Sequence, residues 1–275
     1  MNDTRNILTD EQVERFVDDG FVRLAGAFPR RVADECAEIL WRETGFDPED
    51  RATWTSPVVR IGERTDEPFR RATTSPALHD AFDLLVGEGQ WLPRASLGTF
   101  PIRFPHPDDP GDAGWHTDGG YQVPGESWPR LNIRSRGRAL LMLFLFSDVG
   151  PHDAPTRIKV GSHLDVPEFL APAGEEGMSV LALAEAMAEA GKLDSPDRPL
   201  ALATGRAGDV YLCHPFLVHG AQAHRGEVPR LMAQPPLQSA GRLEPDRPGT
   251  AHSPVERAIR RGLGLDHARE CLHEF

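Results

Sequence analysis

Leu140-Leu-Met-Leu-Phe-Leu-Phe146 is the stretch on which the fold turns. Seven apolar residues in a row offer no polar face to water, so the segment belongs in a core. We read it as a strand buried on both faces; periodicity alone does not separate that reading from a helix. Its neighbours read as strands as well. Residues 91–104 hold strand-like segments around Leu92 and from Ser96 to Phe104, and Thr156-Arg-Ile-Lys-Val160 is a short strand ending at Gly161-Ser-His163. Val210 to Val218 forms another, running into His219-Gly220, and Leu231 to Leu237 a last one.

Helical signals lie outside this set. Thr9 caps a helix, with Gln12 in the capping-box position and Val13 and Phe16 opening an apolar face; Asp18-Asp-Gly20 ends it before a short Phe21–Leu24 strand. Pro29 opens a second helix through Val32, Cys36, Ile39, Leu40 and Trp41. Residues 42–75 read as polar and irregular around a Val58–Ile61 strand, and Ala77 to Leu85 as a short helix. Residues 175–193 read as a helical insertion, and Pro254 to Phe275 as an arginine-rich helix covering the surface. The expectation is one domain over residues 1–275: N-terminal helices over about 9–45, then a core over about 90–240. Its class is mainly β with flanking helices, a sandwich or jelly roll.

Composition narrows the partners. The 275 residues carry a formal charge of −12, which argues against nucleic acid or an anionic membrane surface as a partner. Lysine occurs only at 159 and 192, so an anionic ligand would meet arginine, whose planar fork suits carboxylates. Cys36, Cys213 and Cys271 make neither a disulfide framework nor a C-x-x-C site. With no apolar leader and no membrane-length run, a cytoplasmic protein, monomeric or a small homo-oligomer, is expected.

The chemistry centres on Gly114-Trp-His-Thr-Asp-Gly-Gly-Tyr121. Residues i and i+2 of a strand share a face, so a strand end aims His116 and Asp118 at one point. Two His and one carboxylate with open positions make a facial iron site. The spacing is not unique, because His106-Pro-Asp108 and His163-Leu-Asp165 match it too. A second histidine is required, and His152, His163, His214, His219 and His224 are available. His219, where an apolar strand meets Gly220, is backed by a core as a ligand must be. Arg230 follows it by eleven residues, a separation a hairpin closes, although His214 and Arg225 share it.

Four segments in order resemble the phytanoyl-CoA dioxygenase family of Fe(II)/2-oxoglutarate oxygenases: Leu8-Thr-Asp-Glu-Gln through Gly20-Phe-Val22, Trp115-His-Thr-Asp-Gly-Gly-Tyr121, Ala154 through Gly161-Ser-His163, and Gly208-Asp-Val210 with His219-Gly220 and Arg230. The resemblance implies a double-stranded β-helix of the cupin-like, jelly-roll kind. It implies His116, Asp118 and His219 as ligands of Fe(II), and Arg230, helped by Thr156, as the clamp on the distal carboxylate of 2-oxoglutarate. It further implies that O2 and 2-oxoglutarate are consumed, succinate and CO2 released, and a substrate oxidised. Asp118 favours hydroxylation or a related oxidation such as desaturation, epoxidation or ring closure, because related halogenases lack that carboxylate. His224 and Gly226 stand where the family often has Asn and Ser or Thr, and Val160 replaces the usual Pro.

A small-molecule substrate is expected. Tyr121 and Trp128 are candidates to wall its pocket, Arg103 and the Arg134, Arg136, Arg138 cluster to meet an anionic group, and His214 to line the site. The competing reading is a jelly-roll metal protein that is no oxygenase: a Zn-type hydrolase, or a catalytically silent binder.

Overall fold

A computed structural model of the protein describes residues 7–248 and 251–265. In chain order the elements are α1 (Asp10–Asp19), β1 (Phe21–Leu24), α2 (Arg30–Thr44), β2 (Val58–Ile61), α3 (Glu67–Thr73), α4 (Pro76–Val86) and β3 (Phe100–Arg103). There follow β4 (Arg130–Leu131), β5 (Leu140–Leu145), β6 (Arg157–Lys159), α5 (Val166–Leu170), β7 (Met178–Ser179), α6 (Val180–Glu189) and β8 (Leu200–Leu202). The chain closes with β9 (Val210–Cys213), β10 (His219–Gly220), β11 (Met232–Ala233), β12 (Pro236–Leu237) and α7 (Pro254–Gly262).

The decisive stretch is a strand. β5 lies in an antiparallel sheet of order β1-β9-β5-β11, with β12 also on β5. Alternation along it sorts two cores. Leu140, Met142, Phe144 and Phe146 join the apolar cluster shared with the helices, among them Phe16, Phe28, Val32, Phe69 and Leu85. Leu141, Leu143 and Leu145 face the other way, onto Ile158, Ala203, Tyr211, Cys213, Leu217 and Met232. Helices therefore cover one face of the large sheet, and the antiparallel sheet β10-β6-β8 covers the other. Each such side chain contributes about 1.5–3 kcal/mol by leaving water.

Local chemistry sets the ends of the elements. The capping box of Thr9 and Gln12 starts α1, and Gly20 ends it at φ +86°. Only glycine fits there comfortably, since a Cβ on Gly20 would come 2.4 Å from His163 Nδ1. Several expectations need correction. Residues 42–75 are not irregular throughout, because Glu67–Thr73 is a helix that buries only Phe69, Ala72 and Thr73, too few to show as a stripe. The expected 210–218 strand stops at Cys213. Leu217 N bonds His214 O across Pro215, and the chain passes to the other sheet. Leu231–Leu237 is two short strands, each paired with β5. The C-terminal helix is no mere solvated cover: it buries Val255, Ala258 and Ile259 against α1 and α4. Residues 266–275, Cys271 among them, lie outside the described part. Among the described residues no helix is long and apolar enough to cross a membrane.

Candidate metal centre and co-substrate pocket

The turn at His214-Pro-Phe216 delivers His219 to the small sheet, where β10 pairs β6. His116 is then drawn in by the backbone. His116 N donates to His219 O and His219 N to His116 O, both at 3.0 Å, making the two histidines directly opposed neighbours. Their rings sit 4.5 Å apart between centroids. Asp118 completes the group: its oxygens lie 4.0 Å from His116 Nε2 and 3.9 Å from His219 Nε2, and the three donor atoms fall within 4.8 Å of one another. The glycines after Asp118 allow close packing, since a Cβ on Gly120 would stand 2.2 Å from Arg136 O.

Each imidazole is oriented the same way. His116 Nδ1 lies 3.1 Å from Gly114 O and His219 Nδ1 3.0 Å from Leu217 O, so Nδ1 carries the proton and donates it. The free lone pairs on Nε2 then point to the shared space. His219 Nε2 is buried without a hydrogen-bond partner among the described residues, a costly arrangement unless something else binds it. Burial, against the attraction of Asp118, lowers the His219 pKa to about 4, so the ring is neutral and ready to ligate at pH 7. Burial raises the Asp118 carboxyl, but Arg138, His219 and His116 outweigh it and hold it below its usual range. Arg138 Nη1 stands 3.2 Å from Asp118 Oδ2, and its Nε donates to Gly119 O at 3.1 Å.

Beside the histidines lies an inner cavity of about 170 Å³, lined by Arg103, Asp112, Thr156, Arg230 and Gln234 among others. Arg103 and Arg230 are 2 % and 1 % exposed and directly opposed, with N to O bonds of 3.0 and 2.9 Å each way. Arg230 donates to Ala154 O and, at 3.1 Å, to Pro101 O. Arg103 donates to Gln222 O at 3.2 Å and pairs Asp112 at 2.6 Å. The Nε atoms of both arginines remain unpaired among the described residues. Burial first, and then Arg103, press the Arg230 guanidinium well below the usual arginine range. Arginine does not deprotonate in practice, and Asp112 is bonded by Arg103 and Arg60 and not by Arg230, so the buried Arg230 cation calls for an anion. Among the described residues Thr156 Oγ1 has only the Met232 sulfur, 3.8 Å away, as a bonding partner, which leaves the hydroxyl open to a ligand.

An outer cavity of about 360 Å³ opens on the other side of the triad, between Glu63, Arg94, Thr99, Arg138, Gln234 and Pro236. A larger cavity, about 600 Å³, lies elsewhere, near Leu84, Gln90, Leu243 and His252. It gathers no metal-ligand set among the described residues, so chemistry and not size locates the site.

Of the other candidates, Thr156 and Arg103 line the inner cavity. Tyr121 and Trp128 line neither cavity beside the triad. Tyr121 donates to Glu176 O at 2.6 Å, and Trp128, 51 % exposed, edges a separate groove with Met178 and Ala182. His214 is buried among Phe16, Phe216 and His163, with Nε2 on Val255 O. His224 closes its own turn, bonding Val228 O and receiving Gly226 N. The arginine cluster divides: Arg136 is exposed over the Tyr121 ring, Arg134 chelates Asp246, and the buried Arg138 reaches Asp118. Arg94 and Gln234 drew no notice in the sequence; neither belongs to a recognisable motif.

A His-Asp-His cluster beside a buried arginine pocket marks the protein as an iron- and 2-oxoglutarate-dependent oxygenase. The chain belongs to the phytanoyl-CoA dioxygenase family, whose model matches residues 5–232. Among curated proteins none matches. Solved structures show the likeness in fold. The epimerase SnoN, in complex with Fe3+, alpha ketoglutarate and nogalamycin RO, is 20 % identical at TM-score 0.54, over 89 % of this chain and 92 % of that one. HygX from Streptomyces hygroscopicus, with nickel and 2-oxoglutarate bound, is 20 % identical at TM-score 0.53, over 82 % and 85 %. The carbocyclase SnoK from nogalamycin biosynthesis is 19 % identical at TM-score 0.52, over 88 % of each chain.

Proposed function

We propose that the chain is a hydroxylase-type oxygenase acting on a small molecule, with His116, Asp118 and His219 holding Fe(II) and Arg230, Arg103 and Thr156 holding the distal carboxylate of 2-oxoglutarate. Its stacked antiparallel sheets support a jelly-roll reading in which one oxygenase domain spans the chain. The observation that carries the assignment is the buried, unpartnered His219 Nε2, which faces His116 and Asp118 and borders the two-arginine cavity. A zinc hydrolase would leave that arginine pair without a ligand.

Iron with 2-oxoglutarate and O2 supplies the oxidising power, and the co-substrate leaves as succinate and CO2. The protein's part is placement. Gly114 O and Leu217 O fix the imidazole tautomers, and Arg138 holds Asp118 ionised. Arg230 and Arg103 act as a desolvated, pre-positioned fork for a carboxylate. His116, Asp118 and His219 would hold the metal, the inner cavity would take the co-substrate and the outer cavity the substrate. Asp118 fills the carboxylate position, which favours hydroxylation. SnoN and SnoK, named an epimerase and a carbocyclase, share the fold, so substrate placement decides the outcome.

Anaerobic addition of Fe(II) and then 2-oxoglutarate is expected to give the weak visible charge-transfer band of a chelate. Arg230→Leu should weaken co-substrate affinity by on the order of 100-fold, roughly 3 kcal/mol for a lost charge-assisted pair, while metal binding is kept. Unchanged 2-oxoglutarate affinity in that variant would sink the assignment.

A further inference from the structure

We propose that the outer cavity recognises its substrate through an anionic oxygen group, a carboxylate, sulfate or phosphate, held between Arg94 and Arg138. The inference rests on the oxygenase reading of the same site and adds the class of substrate.

Arg94 is built to present one end of its fork. Its Nε donates to Ser96 O at 3.3 Å and its Nη1 to Pro236 O at 2.9 Å, which fixes the guanidinium plane on two backbone carbonyls. Nη2 is left with Glu63 at 3.7 Å, too far for a hydrogen bond, on a carboxylate that is itself mostly exposed and bonded by Ser96. Arg138 is anchored likewise through Nε on Gly119 O, and its Nη1 is buried without an aligned hydrogen bond among the described residues. Both side chains line the outer cavity, and Arg230 lines the inner one.

Two arginines on one small cavity repel unless an anion lies between them. Burial, with Arg138 as a contributing like charge, lowers the Arg94 pKa. Asp118, 3.2 Å from Arg138 Nη1, is one carboxylate of the wall and Glu63 the other, and a metal ion would compete with Arg138 for the Asp118 lone pairs. Arg138 Nη1 and Arg94 Nη2 would then be the donors left for an incoming anion.

The test uses the whole protein under anaerobic conditions with Fe(II) and saturating 2-oxoglutarate, which fills the Arg103–Arg230 clamp. Sodium sulfate is titrated against sodium chloride at matched ionic strength. Sulfate is expected to shift the visible band saturably where chloride does not. Arg94→Gln should weaken that response by about tenfold, with the band's intensity and the 2-oxoglutarate half-saturation unchanged. Arg94→Lys, which keeps the charge but not the fork, should retain part of the response and guards against a folding defect. A band indifferent to sulfate, or a sulfate response kept in full by Arg94→Gln, overturns the proposal and leaves the iron and co-substrate reading standing. If wild type forms no band, that reading fails instead. The anion site is then decided by the sulfate-induced rise in Tm, which must be smaller in Arg94→Gln than in wild type.

Discussion

Among the described residues two pairs of histidines pack ring to ring, and one of them is arranged as a candidate ligand set. His116 and His219 lie 4.5 Å apart, and His163 and His214 lie 4.8 Å apart, at similar tilts. Both pairs are approached by an aspartate two residues beyond a histidine, Asp118 in one case and Asp165 in the other. The difference is where the second nitrogen and the carboxylate go. In the first pair both Nδ1 atoms are tied to backbone carbonyls, and both Nε2 atoms turn to Asp118 beside two cavities. In the second pair His163 Nε2 is taken by Val17 O and His214 Nε2 by Val255 O, while His214 Nδ1 accepts from Phe216 N. Asp165 is bound by Arg198 at 2.7 and 2.9 Å. Proximity of imidazoles is therefore not what makes a metal site; a shared unspent lone-pair direction is.

The largest effect expected from breaking this contrast is loss of function without loss of fold. His219→Ala removes a ligand whose Nε2 has no protein partner to lose among the described residues. It should abolish the Fe(II)/2-oxoglutarate band and turnover while leaving Tm within a few degrees of wild type. An unaltered band would remove His219 from the ligand set.

Acid should next distinguish the pairs from the rest of the molecule. Burial lowers His163 and His219 to about 4 and His214 well below its ordinary value. The unfolded chain takes up protons on His163 and His219 below about pH 6.5, and the folded chain refuses them until about pH 4. Their stabilisation is thus full above pH 6.5 and lost as pH falls toward 4, by roughly 3 kcal/mol for each of His163 and His219 in the metal-free protein. Urea unfolding at pH 7 and pH 4.5 measures it, and His163→Gln should lose less stability between the two than wild type does. A flat profile would mean that these rings are not neutral by burial.

His214→Ala should act on stability alone. It opens a hole among Phe16, Phe216 and His163 and strands Val255 O and Phe216 N, at a cost of roughly 3 kcal/mol. The charge-transfer band should persist in whatever protein remains folded. Its disappearance from folded protein would join the two pairs functionally.

This contrast also explains what the sequence revealed. β5 was legible because both of its faces are buried, and a run apolar at every position records that directly. α1 was legible through its capping box, and His219 through the apolar segment behind it. The aspartate spacing was not enough, since His163-Leu-Asp165 satisfies it and lies in the core. What decides between matches is the tertiary partner of each carboxylate, Arg198 against Arg138, and nothing local encodes those pairings. Arg103 was noticed for a different duty; its place opposite Arg230 depends on a single backbone bridge between distant segments. α3 stayed hidden because a two-turn helix burying three residues leaves too little pattern.

The smallest and sharpest test sets one H-x-D aspartate against the other. Asp165→Asn keeps the shape but removes the charge of a carboxylate that pairs Arg198 in a bidentate way and lies 3.5 Å from Lys192 Nζ. Arg198 is partly exposed, so water compensates some of the loss, and about 1–2 kcal/mol of stability should go with no change in metal affinity. Asp118→Asn should do the reverse. Against the cost of burial, Arg138 and the two histidines hold its carboxyl below the usual range, so some stability goes with its charge, but without an aligned hydrogen bond from Arg138 Nη1 the loss should be smaller than at Asp165. An amide, however, is a poor substitute for a carboxylate ligand. Two isosteric changes at the same motif position should thus part cleanly, one on a denaturation curve and the other in a metal titration. If Asp118→Asn proved the more destabilising and kept its iron, the aspartate would be a structural partner of Arg138, and the assignment of the ligand set would have to move.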